Sequence, residues 1–568
     1  MSYVPTRRLF IVSAALTLLV LALLVGCALN PIPDPTPIPP TPLPPTPTPL
    51  PRGGTLTVRL AQDVPELRPW QPRSRGEELI TALVYSGLTR LDERLRPQPD
   101  LATSWEATPD GRLITFTLRT DVTWHDGQPL TAEDVAYTLG ALREISPTTA
   151  LLLDLRRITE VTAPNSSTVL ISLTERYAPI FSLLAVPVLP KHVLIDKDIA
   201  ALNFWDVPVG SGPFQLEERR PDAAITLLAN RRFYRGAPLL DRVAFVVAPD
   251  AQVAADALRG GQLLLAELPW EQVSPVVQAV PGMQSGAYAE NGYYFLAFNM
   301  RAGRPFADLR LRQALAKAVD LPALVAEVTA GGGAPIGSSA APGSWADQVP
   351  PPNSTVDLEG ARRLLDEAGW KVPPGESIRQ REGITLTAQL FVRGDDPRRV
   401  RAAEVIAAAG RQIGMQIVVQ PADFETVIRS KYAPPYDFDL LLGSWSNGAG
   451  DPNFADYAFY DPDDFALFHS SQINQGVADT RPVLNIVGFS DSAYDNQAGA
   501  ARQLYDPDDR LHALQLAQAR VAELKPYLFL WADRIPVLLA PQVTTLDGPV
   551  HLDTPMYLHN IERWHLKR

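Results

Sequence analysis

A proline-rich segment near the amino terminus limits where this chain can fold. Residues 31–52 read PIPDPTPIPPTPLPPTPTPLPR. Proline fixes its own φ angle, lacks an amide hydrogen and restricts the residue before it, so the segment favours an extended polyproline II conformation. We therefore predict a tether over residues 27–52, and a folded part that begins at Gly53 and Gly54. A disordered tail without a spacer role is the alternative.

The residues before the tether have the pattern of an export signal. Arg7 and Arg8 precede an uncharged apolar run from Leu9 to Val25, which matches the basic and apolar regions of a secretory signal. The run has about 17 residues, the lower limit for crossing a bilayer, so a transmembrane anchor is the alternative.

The tetrapeptide Leu-Val-Gly-Cys follows at residues 24–27, and Cys27 is the only cysteine among 568 residues. This tetrapeptide resembles the lipobox of bacterial lipoproteins. The resemblance implies that residues 1–26 are removed as a signal peptide and that Cys27 is acylated as the new amino terminus. The protein would then be exported and held by lipid at the outer face of the cytoplasmic membrane, on the periplasmic side of the cell envelope.

Composition argues against several classes of function. A formal net charge of −12 and the lack of a basic stretch argue against nucleic-acid binding. A single cysteine excludes an internal disulfide bond. The seven histidines show no HExxH spacing, no GxSxG motif occurs, and Gly331–Gly333 lacks the Lys-Ser/Thr of a phosphate-binding loop. We therefore predict no enzyme activity, no cofactor and no metal site.

Helix and strand patterns alternate after residue 53, and the chain is long enough for two or three domains. Residues 113–118 alternate apolar and polar side chains, which indicates a half-buried strand. Thr131 and Asp134 have the spacing of a capping box at a helix start. Further helix starts are predicted at Asp308, Asp357 and Asp506, and strands at 242–248 and 439–442. The predicted class is mixed α and β.

Ordered sequence blocks carry a family resemblance. They are YSGLTRLD (85–92), LATSWEATPDG (101–111), WHDGQPLTAEDVAYTL (124–139), VGSGPFQL (209–216), NRRFYRGAPLLDRV (230–243), YYFLAFNM (293–300), LRLRQALAKAVD (309–320) and LEGARRLLDEAGW (358–370). From about residue 53 to about 545, the chain resembles family 5 of the extracellular solute-binding proteins, the oligopeptide-, dipeptide- and nickel-type receptors of ABC importers.

The resemblance implies a two-lobed α/β fold of the periplasmic-binding-protein type (class II, cluster C) with an extra inserted domain. Such lobes close like a hinge over a solute in the cleft between them. The implied parts are lobe 1 (53–72, 204–286 and 534–568), an inserted domain attached to it (73–203) and lobe 2 (287–533).

The resemblance also places a ligand-facing loop at GSWSNGAGDPNF (443–454). Trp445 matches the family tryptophan, and Asp451 with Pro452 matches the acidic-proline pair that follows it. Peptide receptors carry a carboxylate for the peptide's ammonium group three positions after the tryptophan, where this chain has Gly448. An unpaired buried ammonium is strongly penalised, so free peptides are expected to bind weakly. The predicted ligand-binding residues are Trp445, Ser446, Asn447, Gly448, Asp451 and Glu77.

Each of these residues also has a structural interpretation. Trp445 could belong to a core, Asp451 could be a turn residue before proline, and Glu77 with Glu78 could be a solvated acidic pair, which is the favoured interpretation for the pair. Two further residues are expected to be structural: Tyr85 by packing, and His125 in a turn with Asp126 and Gly127.

The leading functional hypothesis is a receptor that captures a peptide or peptide-like solute and delivers it to an ABC permease with cytoplasmic ATPases. The receptor is expected to be a monomer. A ligand sensor that presents its closed form to a signalling partner is an alternative, as is a receptor for a sugar-containing compound or a metal chelate. An exported hydrolase on a similar scaffold is disfavoured by the missing catalytic motifs.

Overall fold

The computed structural model describes residues 51–146, 150–351, 355–446, 460–474 and 483–567, which contain both helices and strands. Residues 51–568 fold as one unit. The signal, Cys27 and most of the tether lie outside the described residues. The predicted start of the folded part is confirmed, because the first strand follows Gly53 and Gly54, both of which have positive φ angles.

The strands, in chain order, are β1 (Thr55–Leu60), β2 (Thr89–Leu91), β3 (Pro97–Pro99), β4 (Ala102–Ala107), β5 (Leu113–Leu118), β6 (Ile158–Asn165), β7 (Thr168–Leu173), β8 (Phe214–Arg220), β9 (Ala224–Ala229), β10 (Arg242–Val247), β11 (Leu265–Glu267), β12 (Gln284–Ala289), β13 (Gly292–Phe298), β14 (Gly333–Pro335), β15 (Gln380–Arg381), β16 (Ile384–Thr385), β17 (Thr387–Arg393), β18 (Gln416–Ala422), β19 (Leu440–Ser446), β20 (Tyr527–Leu539), β21 (Val543–Thr545) and β22 (Trp564–Leu566).

The α-helices are α1 (Arg75–Val84), α2 (Ala132–Glu144), α3 (Ala150–Leu155), α4 (Ile180–Leu183), α5 (Lys191–Leu194), α6 (Ala251–Arg259), α7 (Trp270–Ala279), α8 (Leu309–Ala318), α9 (Leu321–Thr329), α10 (Leu358–Glu367), α11 (Pro397–Gln412), α12 (Arg429–Lys431), α13 (Phe465–Phe468), α14 (Ser492–Gln503) and α15 (Pro507–Leu524). Short 3-10 turns cover Phe204–Asp206, Pro305–Ala307, Ser470–Gln472 and Ile561–Arg563, and a π-helical turn covers Phe424–Ile428.

Strand β20 belongs to two halves of one large sheet, whose order is β18-β17-β19-β13-β20-β11-β1-β10-β9-β8. Its first half, up to Asp533, pairs with β13 and β14. Its second half, from Arg534, pairs with β12 and β11. The chain therefore passes between the two halves at β20 and again at residues 289–292, between β12 and β13.

Two large apolar cores lie on either side of this crossing. The first core includes Leu56, Phe116, Phe245 and Trp564 and is built from residues 56–288 and 537–564. On the other side, residues 296–531 form a second core around Leu390 and Leu442, next to an aromatic cluster of residues 293–532. The apolar contacts thus divide the folded part into two bodies that share strand β20.

A separate four-stranded sheet, β4-β5-β7-β6, lies within residues 73–203. Strand β5 alternates as predicted, with Ile114, Phe116 and Leu118 buried. Helix α2 begins at the predicted capping box, where the Thr131 amide donates to the Asp134 carboxylate across 2.8 Å.

The other predicted helix starts are confirmed as well. The carboxylates of Asp308, Asp357 and Asp506 accept amide hydrogens from the first turns of α8, α10 and α15, which satisfies donors that a helix leaves without partners. The predicted strand at 242–248 is β10, and the one at 439–442 is longer than predicted, since β19 extends from Leu440 to Ser446.

Candidate functional site

The amino-terminal end of helix α1 lies where the two cores meet. The Glu78 carboxylate accepts a hydrogen bond from the Tyr460 hydroxyl across 3.2 Å. Glu78 lies on α1, whose apolar side chains belong to the first core. Tyr460 packs against Leu91 and Leu95 and precedes α13, which belongs to the second core. Glu78 and Tyr460 are both buried, with 7% and 8% of their surfaces exposed. This contact therefore places a carboxylate and a phenol from different bodies in one enclosed polar site.

Local sequence explains why α1 begins here. The Ser74 side chain accepts the Glu77 amide hydrogen, and the Glu77 carboxylate accepts the Arg73 amide hydrogen across 2.8 Å. Acidic residues in a first turn are also favoured by the helix dipole. Burial raises the pKa of Glu77. The interpretation of Glu77 and Glu78 as a solvated acidic pair is wrong, because both are buried and hydrogen-bonded.

Arg75 connects two carboxylates, that of Glu78, which is buried, and that of Glu267, whose side chain is 22% exposed. Its guanidinium contacts Glu78 at 2.6 Å and Glu267, at the end of β11, at 3.0 Å. Glu267 also accepts hydrogen bonds from the hydroxyls of Tyr288 and Tyr557, at 2.9 and 3.0 Å. Burial raises the pKa of Glu78, and Arg75 opposes that rise. One cation thus compensates two acids in a site from which water is largely excluded.

A second charged group lies at the crossing itself. Arg398 contacts Asp533 of β20 at 3.1 Å, and the Tyr294 hydroxyl donates to the same carboxylate at 3.1 Å. Glu290 lies in the crossing segment between β12 and β13. Burial raises its pKa, and the nearby charges of Asp533 and Glu267 raise it further. Glu290 thus has two further carboxylates and the guanidinium of Arg398 near it.

Trp445 lies on β19 in the aromatic cluster of the second core. Only 1% of its surface is exposed. Its ring stacks on Phe295 at a centroid distance of 5.7 Å and meets Tyr432 edge-on at 5.4 Å. Ser446 is the last residue of the same strand. The structure thus gives Trp445 a packing role, and solute contact by its ring stays a prediction.

Three of the predicted ligand-binding residues cannot be placed. Asn447, Gly448 and Asp451 lie outside the described residues, in the segment 447–459 that follows β19. Strand β19 ends beside β13 at the crossing, with Gly292 opposite Ser446. The roles of these three residues stay predictions.

His125 and Tyr85, the two residues expected to be structural, both make structural contacts. His125 is in the predicted turn, and its ring nitrogens lie 3.2 and 3.1 Å from the Gly210 amide and the Gly212 carbonyl. Burial lowers the His125 pKa to about 4, so the ring is neutral near pH 7. Tyr85 is 3% exposed and packs in the first core.

The comparison with protein families decides what this arrangement is. The model of the bacterial extracellular solute-binding proteins, family 5 middle, matches residues 96–466. The chain belongs to this family. Its members are substrate-binding receptors rather than enzymes, and this family 5 protein therefore has the two-lobed fold that its two cores and shared strand display.

Relatives agree with that assignment. The family 5 protein is 26% identical over 502 residues to the oligopeptide-binding protein AppA of Bacillus subtilis, covering 86% of this chain and 87% of AppA. The structure of AppA with a nonapeptide has a TM-score of 0.62 at 25% identity, covering 91% and 99%. Protein XP55 of Streptomyces lividans is 30% identical over 451 residues, covering 79% and 78%. The nickel-binding periplasmic protein of Escherichia coli is 28% identical over 390 residues, covering 64% and 72%.

Two further observations bear on the alternatives for this solute-binding protein. Within the described ranges, no group of three or more His, Cys, Asp or Glu side chains is arranged to hold a metal ion. None of the helices in the described part of the chain is long and apolar enough to cross a bilayer.

Residues 73–203 of the family 5 protein also contact the second core. The Ser182 hydroxyl donates to Asp461 across 2.7 Å, and Asp461 is paired with Arg510 at 2.6 Å. Nearby, the Tyr505 hydroxyl donates to the Gly111 carbonyl across 2.7 Å, and its ring meets Phe181 edge-on. The two bodies therefore touch at a second polar site besides Tyr460 and Glu78.

Sequence reasoning missed most of the residues at the boundary. Arg75, Glu267, Tyr288 and Tyr460 were not predicted, because their partners are distant in sequence. One signal was available, since Arg75 and Glu78 have the i, i+3 spacing of a helical ion pair. Glu267 at the carboxyl end of a strand was a second one.

Proposed function

We propose that this protein captures a peptide or peptide-like solute in the cleft between its lobes and delivers it to an ABC importer. The observation that carries the proposal is the boundary at Glu78 and Tyr460, where a buried polar site takes side chains from both bodies. A ligand can favour closure only through contacts that the open form lacks. A site that takes one wall from each lobe meets that condition.

The proposed mechanism requires a division of the chain into two lobes. Lobe 1 would comprise residues 53–72, 204–286 and 534–568, with 73–203 as an inserted domain attached to it, and lobe 2 would comprise 287–533. Support comes from the two apolar cores and from the separate sheet β4-β5-β7-β6. The hinge would then lie at the crossing formed by residues 289–292 and by β20 near Asp533 and Arg534.

The solute is proposed to carry a cationic group. AppA is described as an oligopeptide-binding protein, and a peptide brings a free ammonium group. Gly448 cannot pair with it. Glu290 offers a carboxylate at the lobe boundary, but burial and the nearby charges of Asp533 and Glu267 disfavour its ionisation, so its pairing with an ammonium group is expected to be weak. A ligand cation beside Glu290 would relieve that repulsion, since an opposite charge favours the ionised form.

We further propose that Cys27 anchors the receptor by lipid at the outer face of the cytoplasmic membrane. The family description as extracellular agrees with export, and the support for acylation is the Leu-Val-Gly-Cys sequence after the apolar run. In this proposal Cys27→Ser leaves the protein unprocessed or released. A variant that still fractionates with membranes at the mature size would contradict lipid anchoring, with Ser13→Ala as a control for mutation of the signal region.

Native mass spectrometry of the freshly purified full chain tests solute capture. A copurified small molecule is expected, and its removal should increase the radius of gyration measured by X-ray scattering, because the lobes separate. Adding the identified molecule back should reverse the change. A chain that carries no solute, and whose scattering is unchanged by any fraction of the growth medium, would count against the receptor function.

Binding of tri-alanine tests the ligand chemistry. We expect weak binding by the wild type and an improvement of about tenfold, roughly 1.4 kcal/mol, in Gly448→Asp. The improvement should shrink for N-acetylated tri-alanine, which has no ammonium group. Tight wild-type binding of tri-alanine that acetylation abolishes would show that another carboxylate already binds the ammonium. Asp451→Asn and Glu290→Gln would then identify it.

A further inference from the structure

Helix α1 forms one wall of a cavity of about 180 Å³ that the proposed solute cleft does not explain. Among the described residues, its lining comes only from 69–235 and 555–561. The cavity thus lies within the first core and the inserted segment, and no described residue of lobe 2 contributes to it. It can be occupied whether the lobes are open or closed.

The wall of the cavity is mainly apolar. Side chains that line it include Trp70, Leu79, Leu183, Val186 and Leu558, all of them buried members of the first core. A cavity of about 150 Å³ lined by Leu, Ile and Phe stays dry and holds a molecule the size of benzene, and the apolar part of this cavity is comparable in size. A single aromatic ring therefore matches the available volume.

Two hydroxyl groups on α1 and at its end interrupt the apolar wall. Thr81 and Tyr85 line the cavity, and 7% and 3% of their surfaces are exposed. Neither hydroxyl has a hydrogen-bond partner in the described part of the chain. A helical threonine can bond the carbonyl one turn back, but Thr81 does not. Buried polar groups are nearly always satisfied, and the cavity is the space in which a partner can lie.

Two of the guanidinium groups that line the cavity are paired with carboxylates, and a third, that of Arg90, lies near Asp100 with its Nε unpaired among the described residues. Arg75 pairs with Glu78 at 2.6 Å, and Arg235 lies 3.6 Å from Asp100, which also accepts a hydrogen bond from Tyr234. Burial raises the pKa of Tyr85, so its phenol is neutral. An occupant with a net charge would disturb these pairs, whereas a neutral one would not.

We propose that this cavity is a second ligand site, which binds a small uncharged aromatic molecule bearing a hydroxyl or carbonyl oxygen. The ring contacts the apolar wall, and the oxygen accepts hydrogen bonds from Tyr85 and Thr81. Water alone fits less well, because it needs two to four polar partners and most of the wall offers none.

Fluorine NMR of the purified full chain with 4-fluorophenol tests the site. Saturable binding is expected, and 4-fluorotoluene, which has the ring without the hydroxyl, should bind about three- to tenfold more weakly. Tyr85→Phe should remove most of that preference while the 4-fluorotoluene affinity is kept. The anion 4-fluorobenzoate should bind more weakly than 4-fluorophenol.

A cavity-filling variant locates the binding. Ala82 lines the cavity and its side chain is accessible, so Ala82→Phe should abolish binding of both probes. The matched control is Ala326→Phe, at an exposed position of α9 outside the cavity, and it should bind as the wild type does. If Ala82→Phe does not fold, the proposal is tested by whether Tyr85→Phe loses the preference for 4-fluorophenol over 4-fluorotoluene.

Three results would overturn the proposal. The first is the absence of saturable probe binding by the wild type, which would indicate a cavity filled by water only. The second is a loss of probe binding in Ala326→Phe equal to that in Ala82→Phe. The third is an unchanged preference for 4-fluorophenol over 4-fluorotoluene in Tyr85→Phe. None of these outcomes depends on the cleft ligand, because the probes bind in the first core and the control variant Ala326→Phe lies outside the cavity.

Discussion

The Tyr460 hydroxyl lies 3.2 Å from the Glu78 carboxylate although 382 residues separate them in the chain. Glu78 is held on its other oxygen by Arg75. A tyrosine from one body thus completes the hydrogen bonding of a buried acid on the other. In the proposed mechanism, separation of the lobes would expose this carboxylate to water, so the contact would favour the closed form.

The coupling between these two residues can be measured directly. We expect Tyr460→Phe and Glu78→Gln to destabilise the protein non-additively in urea unfolding, with a coupling of about 1–2 kcal/mol, because the bond involves a charged acceptor. Tyr505→Phe combined with Glu78→Gln is the control pair and should be additive. Additive effects in the first pair would show that the bond contributes nothing to the stability of the folded protein.

Replacement of Arg75 should be severe. Arg75→Met leaves the buried Glu78 and the partly exposed Glu267 without their cation, and removing one partner of a buried pair costs about 3–5 kcal/mol. Arg401→Met is the matched control, because its pair with Glu327 at 2.7 Å is about half exposed and such pairs contribute about 0–1 kcal/mol. Equal midpoints of urea unfolding for the two variants would contradict the assigned role of Arg75.

Two variants of Trp445 distinguish a packing role of its ring from contact with the solute. Truncation of a buried tryptophan to alanine costs about 3–5 kcal/mol, so Trp445→Ala should lower the melting temperature by several degrees. Trp445→Phe keeps most of the aromatic contact with Phe295 and should be milder. A Trp445→Phe variant of near wild-type stability that loses affinity for the copurified solute would assign the ring to the cleft, and unchanged affinity would assign it to the core alone.

The pH dependence of the free energy of unfolding should reveal the ionisation of the Asp464 carboxyl group. Its carboxylate accepts hydrogen bonds from Tyr494 and Ser339, at 2.6 and 2.8 Å, and burial raises its pKa from 3.8 to about 6. A raised folded-state pKa means that its favourable contribution is complete below about pH 4 and is lost as pH rises through 6. The difference between a pKa of about 6 and the ordinary value of 3.8 corresponds to a change of roughly 3 kcal/mol at most in the free energy of unfolding.

The free energy of unfolding of the wild type, relative to Asp464→Asn, should therefore fall between pH 4 and 7 and stay flat above. Asp395 provides a comparison of opposite sign, since its hydrogen bond with Arg393 holds its pKa well below the ordinary value. Relative to Asp395→Asn, the wild type should gain stability as pH rises through the acid range. A flat difference for Asp464 would mean that its carboxyl is as readily ionised as in water.

Local features of the fold could be predicted from the sequence. The caps at Asp357 and Asp506, and the pair formed by Thr131 and Asp134, depend on residues two to four positions apart, so the sequence alone shows both partners. The alternation of apolar and polar residues in β5 likewise indicates that one face of this strand is buried. The two-lobed fold came from ordered blocks spread over the chain, which no local pattern provides.

The boundary site could not be predicted in the same way. Glu78 looked like a solvated acid because it follows Glu77 in a polar stretch, and its hydrogen-bond partner Tyr460 is remote in sequence. Trp445 could be assigned to the ligand loop by resemblance, but its stacking on Phe295 depends on the pairing of β13 with β19.

The shared strand β20 has a consequence for how the chain is made. Strand β11, at residues 265–267, finds one of its partners only at residues 537–539. Until almost the whole polypeptide has been synthesised, both halves of the sheet have open edges, and such edges invite pairing with other chains. The two lobes are therefore completed together, by one of the last segments to emerge, and a receptor truncated before residue 527 would have neither sheet complete.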